Sequence, residues 1–213
     1  MKEHYLRTTV SGRYLVEAPE REWPFPVFAG FHGYGQTADD GMALLRGIPG
    51  SKRFLLCALE ALHPFMNAKG EPGASWMTLR DRELRIVENV AYVDAVLGSV
   101  MMGNFVSGPI VLHGFSQGAG MACRASTLGC YRVSAVMLLG GDVPPDLERL
   151  DPMCSVHLAR GNRDRLYSQE RFEADRQRLI DAGVAVETFV YQGGHAPTEE
   201  YFMAAGHFLE ALG

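Results

Sequence analysis

Apolar positions along this chain fall into two patterns. Largely apolar runs of strand length recur at Pro26–Phe31, Phe54–Leu59, Pro109–Leu112, Val133–Leu139, Ser155–Ala159 and Val184–Tyr191, with an earlier, weaker run from Ser11 to Glu17. Runs that are apolar throughout, rather than alternating, mark strands covered on both faces. Between them the apolar residues recur at helical spacing. Thr37 is placed to cap a helix to Arg46, with Asp40 at the third helical position. Asp81 to Val100 carries Ile86, Val90, Val93 and Leu97 on one face, and Gln117 opens a helix to about Leu128. Ser168 to Ala182 is stopped by Gly183, and Thr198 to Leu212 aligns Phe202, Ala205, Leu209 and Leu212. Strands alternating with helices predict an α/β fold: a mostly parallel sheet with helices on both faces. Residues 60–79 show neither period and are expected to be irregular; they carry Pro64, Phe65, Met66, Pro72 and Trp76.

Composition narrows the class. At 213 residues and 47% hydrophobic content, one domain spanning 1–213 can enclose a sizeable core. A net charge of −5 argues against nucleic acid or an anionic membrane as partner. The N-terminus has no apolar leader-like stretch and no run approaches 18 apolar residues, so stable membrane insertion is not expected. The four cysteines (Cys57, Cys123, Cys130, Cys154) are widely spaced, without a metal-ligand pattern. Cys57 and Cys154 lie in or beside apolar strands, so buried thiols and a cytoplasmic protein are expected. Either a monomer or a homodimer fits, and no metal or organic cofactor is implied.

The chemistry centres on Gly114-Phe115-Ser116-Gln117-Gly118, directly after one apolar run and opening a helix. This is the nucleophile-elbow pattern. A strand turning at once into a helix brings two backbones together, and a side chain at 114 or 118 would collide with the other limb. Ser116 is thereby held on a strained turn above the end of the sheet. A serine hydroxyl needs a base, and the base needs an orienting acid. Of seven histidines only His195 and His207 lie downstream of Ser116 and of both candidate acids. His195 follows the last strand in a Gly-Gly-His loop, whereas His207 falls on the outer side of the last helix. Two strand-end carboxylates compete for the acid. Asp164 follows the penultimate strand and is favoured; Asp142 is suited to capping the Pro144-Pro145 turn. Arg163 and Arg165 flank Asp164, as solvated loop charges or as contacts to an anionic part of a substrate. An oxyanion would be met by the backbone amides of Gln117, at the helix start, and of Tyr34 in His32-Gly33-Tyr34-Gly35. His32 reads as a brace of that loop.

On His32-Gly33-Tyr34-Gly35, Gly114-Phe115-Ser116-Gln117-Gly118, Gly161-Asn162-Arg163-Asp164 and Gly194-His195, the chain from about Pro26 to Leu212 resembles the phospholipase/carboxylesterase family of α/β-hydrolases, which includes acyl-protein thioesterases. The resemblance implies an α/β-hydrolase fold with Ser116, Asp164 and His195 as a catalytic triad. It also implies cleavage of a small-molecule carboxylic ester or thioester through an acyl-enzyme. The chain departs from the family in having Ala119 where Gly is frequent and Arg160 where His often precedes Gly161; Ser75-Trp76-Met77 matches its Trp-Phe-Asp segment only loosely. An amidase or peptidase of the same fold, or an inactive binding scaffold, are the alternatives. The segment between the Leu139 and Ser155 runs holds Pro144, Pro145 and Pro152 and no long amphipathic pattern, so no lid domain is expected. Phe65, Met66 and Trp76 are candidates for an acyl-binding wall that favours short to medium chains, or else simply pack their loop onto the sheet.

Overall fold

The computed structural model describes residues 1–6, 8–20, 24–67, 70–103 and 106–212. Its elements run β1 (Tyr14–Glu17), β2 (Phe25–Phe31), α1 (Ala38–Gly47), β3 (Leu55–Leu59), β4 (His63–Met66), β5 (Pro72–Ser75), α2 (Arg82–Gly103), β6 (Val106–Phe115), α3 (Gln117–Leu128), β7 (Ala135–Leu139), β8 (Ser155–Gly161), α4 (Gln169–Asp181), β9 (Ala185–Tyr191) and α5 (Glu199–Glu210). Seven strands form one sheet in the order β1-β3-β2-β6-β7-β8-β9. Only β1 runs antiparallel, against β3; the other pairings are parallel.

The runs of the inner strands are buried on both sides because each divides its residues between two cores, whereas the edge strands β1 and β9 are largely half-buried or exposed. In β3, Leu55, Cys57 and Leu59 face one core while Leu56 and Ala58 face the other. In β7, Val136 and Leu138 oppose Ala135, Met137 and Leu139 in the same way. The first core is closed by α2, α3 and α4 and the second by α1 and α5. Among the described residues α2 alone is long and apolar enough to cross a membrane by length and composition. Its Val90, Val93, Val96, Leu97 and Val100 are buried in the first core.

Three expectations change. The 60–79 segment is not irregular throughout: β4 and β5 form an antiparallel hairpin outside the main sheet, with residues 68 and 69 outside the described set. Its prolines and glycines hide any alternation of apolar and polar positions. The strand before the elbow starts at Val106, three residues earlier than its apolar run, because Gly108 is accommodated inside it at φ 107°. Cys154 is exposed rather than buried: it occupies a turn at φ 54° just before β8, while Cys57 and Cys123 are the buried thiols.

The topology fixes where a site can form. From β2 the chain winds outward to β3, then returns across the sheet so that β6 lies on the other side of β2. The connections leaving β2 and β6 therefore diverge to opposite faces and open a crevice at the strand C-termini. Parallel register brings the neighbouring ends level, with Phe31 opposite Gly114, Phe115 opposite Leu139, Leu139 opposite Ala159 and Gly161 opposite Tyr191. The loops after these strands all emerge along one edge.

Candidate active site

Ser116 occupies the turn between β6 and α3 at φ 53°, ψ −119°, a conformation that non-glycine residues seldom adopt. Its amide donates to the Leu139 carbonyl at 2.8 Å, which pins the elbow to the end of β7. The glycines are required by close approach. A Cβ at Gly114 would lie 2.3 Å from the Gly118 carbonyl oxygen, and one at Gly118 would lie 2.1 Å from that of Phe31. Gly141, which the motif does not include, is held as tightly: its Cβ would come within 2.2 Å of the Ser116 carbonyl oxygen.

The loop after β9 carries His195 to this serine. Its Nε2 lies 2.8 Å from Ser116 Oγ and its Nδ1 2.8 Å from Asp164 Oδ2. A carboxylate can only accept, so Nδ1 carries the proton and Nε2 is left to accept from the hydroxyl. The second oxygen of Asp164 accepts from the amides of Leu166 and Tyr167, at 2.9 and 3.0 Å. The loops carrying Asp164 and His195 are also tied to each other. The Arg163 amide donates to the Gly193 carbonyl, and the Gly193 amide donates to the side chain of Asn162. Phe115 lies beside the imidazole with ring centres 5.2 Å apart. Gly140, at φ 59°, passes so close that a Cβ would meet Asp164 Oδ2 at 3.3 Å and the His195 ring at 3.4 Å. This residue was invisible as part of the site because a Gly-Gly pair after a strand reads only as a turn.

The other candidates are elsewhere. Asp142 forms an ion pair with Arg171 at 2.7 Å, instead of capping the proline turn, and stands apart from His195. His207 is exposed on the outer face of α5. Arg163 and Arg165 are exposed, and neither forms an ion pair with a described residue.

The loop after β2 and the start of α3 each supply one amide donor in keeping with an oxyanion site. The Gly33 amide is bound by the side-chain oxygen of Gln36, that of Gly35 by the Ala74 carbonyl, and that of Gln36 by the Gly33 carbonyl. Among the described residues the amides of Tyr34 and Gln117 have no such partner. His32 braces this loop: its Nε2 accepts from the Ala61 amide and its Nδ1–H donates to the Gly33 carbonyl. Burial pushes the His32 imidazole below its usual pKa and so favours this neutral form.

The proposed acyl wall divides. Phe65 stacks against Tyr34 with ring centres 5.1 Å apart, and Met66 is 64% exposed. Trp76 does not join them. It is 0% exposed, packs on Phe31 and His32, and donates its indole N–H to the His32 carbonyl at 2.9 Å. Its own amide donates to the side chain of Gln117, and its carbonyl accepts from Asn89. Trp76 thus links the loop after β2 to the start of α3 and presents no surface to a ligand.

No protein-family model and no curated protein matches the chain. Solved structures do. Esterase PE8 is 23% identical with a TM-score of 0.77, over 95% of this chain and 100% of that one. The carboxylesterase of Bacillus cereus is 19% identical with a TM-score of 0.77, over 95% of both chains. Acyl-protein thioesterase 2 of Zea mays is 17% identical with a TM-score of 0.72, over 95% of this chain and 100% of that one. These similarities extend over nearly the whole of each protein: the chain has the α/β-hydrolase fold.

Proposed function

We propose that this chain is a serine hydrolase that cleaves a carboxylic ester or thioester through an acyl-enzyme, as a member of the phospholipase/carboxylesterase group. One observation carries the reading: the unbroken relay from Ser116 Oγ through His195 to Asp164, with both links at 2.8 Å. Ser116 attacks the carbonyl carbon as His195 Nε2 takes its proton. The tetrahedral oxyanion is met by the amides of Tyr34 and Gln117. Collapse expels the alcohol or thiol, which takes the proton back from His195, and water repeats the cycle on the acyl-enzyme. Asp164 holds the imidazole in the tautomer this requires.

Support for an ester or thioester substrate comes from the solved relatives, named as esterases, a carboxylesterase and an acyl-protein thioesterase. The acyl group would lie toward Tyr34, Phe65 and Met66. Between β7 and β8 the only regular structure is a single 3-10 turn over 151–153, so no inserted helix covers the site and no interfacial activation is expected. The deciding experiment is labelling with a fluorophosphonate probe, followed by turnover of a panel of esters and thioesters. Labelling confined to Ser116 and abolished in Ser116→Ala supports the reading; a folded protein that neither labels nor turns over any member is a binding scaffold instead.

A further inference from the structure

Arg160 stands near the end of β8, one turn of chain before Asp164. Its strand position reads as a solvated end charge, yet the residue is 3% exposed. The side chain has the parity of Val156 and Leu158, toward α4. Among the described residues it forms no ion pair. Its guanidinium donates instead to three neutral oxygens: Nε to the Tyr167 carbonyl at 3.0 Å, Nη2 to the Asp164 carbonyl at 3.2 Å, and Nη1 to the side-chain oxygen of Gln169 at 2.6 Å.

A buried cation resting on neutral acceptors is costly unless an opposite charge lies close by. The turn that accepts two of these donors, through the Asp164 and Tyr167 carbonyls, carries a carboxylate of its own, that of Asp164. Its Oδ1 collects the Leu166 and Tyr167 amides, while Arg160 collects the Asp164 and Tyr167 carbonyls. The 164–167 turn is gripped from both sides, its N–H dipoles directed at the anion and its C=O dipoles at the cation. Other charges reach the same turn: Arg163 and Arg165 flank Asp164 and are exposed, and Arg171 donates to the Leu166 carbonyl at 3.1 Å. Tyr191, buried within range of both charges, has its hydroxyl pushed up to about 12 by burial and stays neutral. Glu170 is exposed and lies on the Arg160 side, and Glu173 accepts from Gln169.

We propose that Arg160 is the positioning residue of the acid turn, fixing the Asp164 carboxylate against His195 Nδ1 and supplying its buried counter-charge. This rests on the reading of Ser116, His195 and Asp164 as a catalytic triad. Arg160 does not touch the substrate, so its loss lowers turnover and leaves substrate binding alone. It also leaves the Asp164 charge uncompensated, which stabilises protonated His195 and moves the acid limb of the kcat/KM profile to higher pH. Lysine retains the charge but cannot reach three oxygens from one planar fork.

The test compares the full-length wild type with Arg160→Gln, Arg160→Lys and Gln169→Ala on p-nitrophenyl butyrate, with near-ultraviolet circular dichroism to establish folding. A wild type that neither turns over nor labels with a fluorophosphonate defeats the hydrolase reading, and this inference with it. Given an active wild type, folded Arg160→Gln is expected to lose tenfold or more in kcat with KM within twofold, and its acid limb to move to higher pH. Arg160→Lys should recover the position of the limb but only part of kcat. Wild-type kcat and pH profile in folded Arg160→Gln overturn the inference alone, as does a fall that merely follows the folded fraction. Should Arg160→Gln not fold, Gln169→Ala decides, since it removes one anchor of the fork and keeps the buried cation. A two- to fivefold lower kcat at unchanged KM supports the proposal, and an unaltered kcat overturns it.

Discussion

Histidines at the C-terminal edge of the sheet and inside one of its two cores show what partners do for a side chain. His195, at the sheet edge, has both ring nitrogens engaged and remains partly open to solvent. His157, in the core under α5, is 0% exposed and neither nitrogen has a hydrogen-bond partner among the described residues. Its neighbour His113 has one, the Tyr201 hydroxyl at 2.6 Å. At the edge the imidazole has a defined acceptor on one nitrogen and a defined hydroxyl on the other. In the interior, aromatic surroundings, with Phe208 5.3 Å from His157 and Tyr201 6.1 Å from it, use it as a packing ring. Identity of the residue says nothing of which role it has; the partners do.

The largest expected effect breaks the edge. Ser116→Ala should remove ester turnover by on the order of 10⁴-fold or more without loss of fold. A purified variant with an unchanged circular-dichroism spectrum and more than a few per cent of wild-type rate would place the nucleophile elsewhere. Next comes the acid. Asp164→Asn should lower kcat by about 10³- to 10⁴-fold, because only the residue on Nδ1 sets the tautomer of His195. Asp142→Asn, which loosens only an exposed pair with Arg171, should stay within a few-fold of wild type. The reverse ranking would sink the assignment.

The elbow could be read from sequence because its cause is local: two backbones approach at Gly114 and Gly118, and nothing larger fits. The loop residues Tyr34, Asp164 and His195 could be read because each follows an apolar run whose end lies on the same edge. Other features depend on contacts distant in the chain. The β4–β5 hairpin carries no alternation, and it is held by β5 joining the loop after β2, with the Ala74 amide and carbonyl bonded to Gln36 and Gly35. Arg160 and Gly140 are ordinary in their own neighbourhoods and gain a role only from the Asp164 and His195 loops. Trp76 looked like a wall because large apolar residues in a loop suggest a pocket; its indole N–H partner, the His32 carbonyl, is 44 residues away.

The interior histidines predict a pH effect of intermediate size. Burial pushes His113 down to about 3 and His157 to about 4, well below the ordinary value near 6.5. The unfolded chain therefore binds protons that the folded one refuses. The stabilisation is fully present above about pH 6.5 and is lost as pH falls from there toward 4, by on the order of 1 kcal/mol per histidine per pH unit. Urea unfolding at pH 7.5, 6.5, 5.5 and 4.5 measures this. His157→Leu should flatten the slope while leaving esterase activity near that of the wild type at pH 7.5. Equal slopes for the two proteins would show that His157 titrates normally when folded.

The smallest effects test the boundary between edge and interior. Phe65 lies on the edge, stacked on the largely exposed ring of Tyr34, and if it contacts the acyl chain it contributes uniform binding. Phe65→Ala should then raise KM for hexanoate and longer esters and leave acetate nearly untouched, with a limit of about 0.8 kcal/mol for each methylene no longer covered. Trp76 belongs to the interior and should behave oppositely. Trp76→Phe keeps most of the ring but deletes the N–H that holds the His32 carbonyl, and so loosens the loop bearing the Tyr34 amide. An oxyanion donor acts on every substrate in the transition state, so kcat should fall alike for acetate and hexanoate with KM unchanged. One full donor is worth about 2.7–4 kcal/mol, and a loosened one should cost only part of that, roughly three- to tenfold in rate. If Trp76→Phe instead raised KM selectively for the longer esters, the indole would reach the acyl chain after all, and its burial here would describe only the unliganded protein.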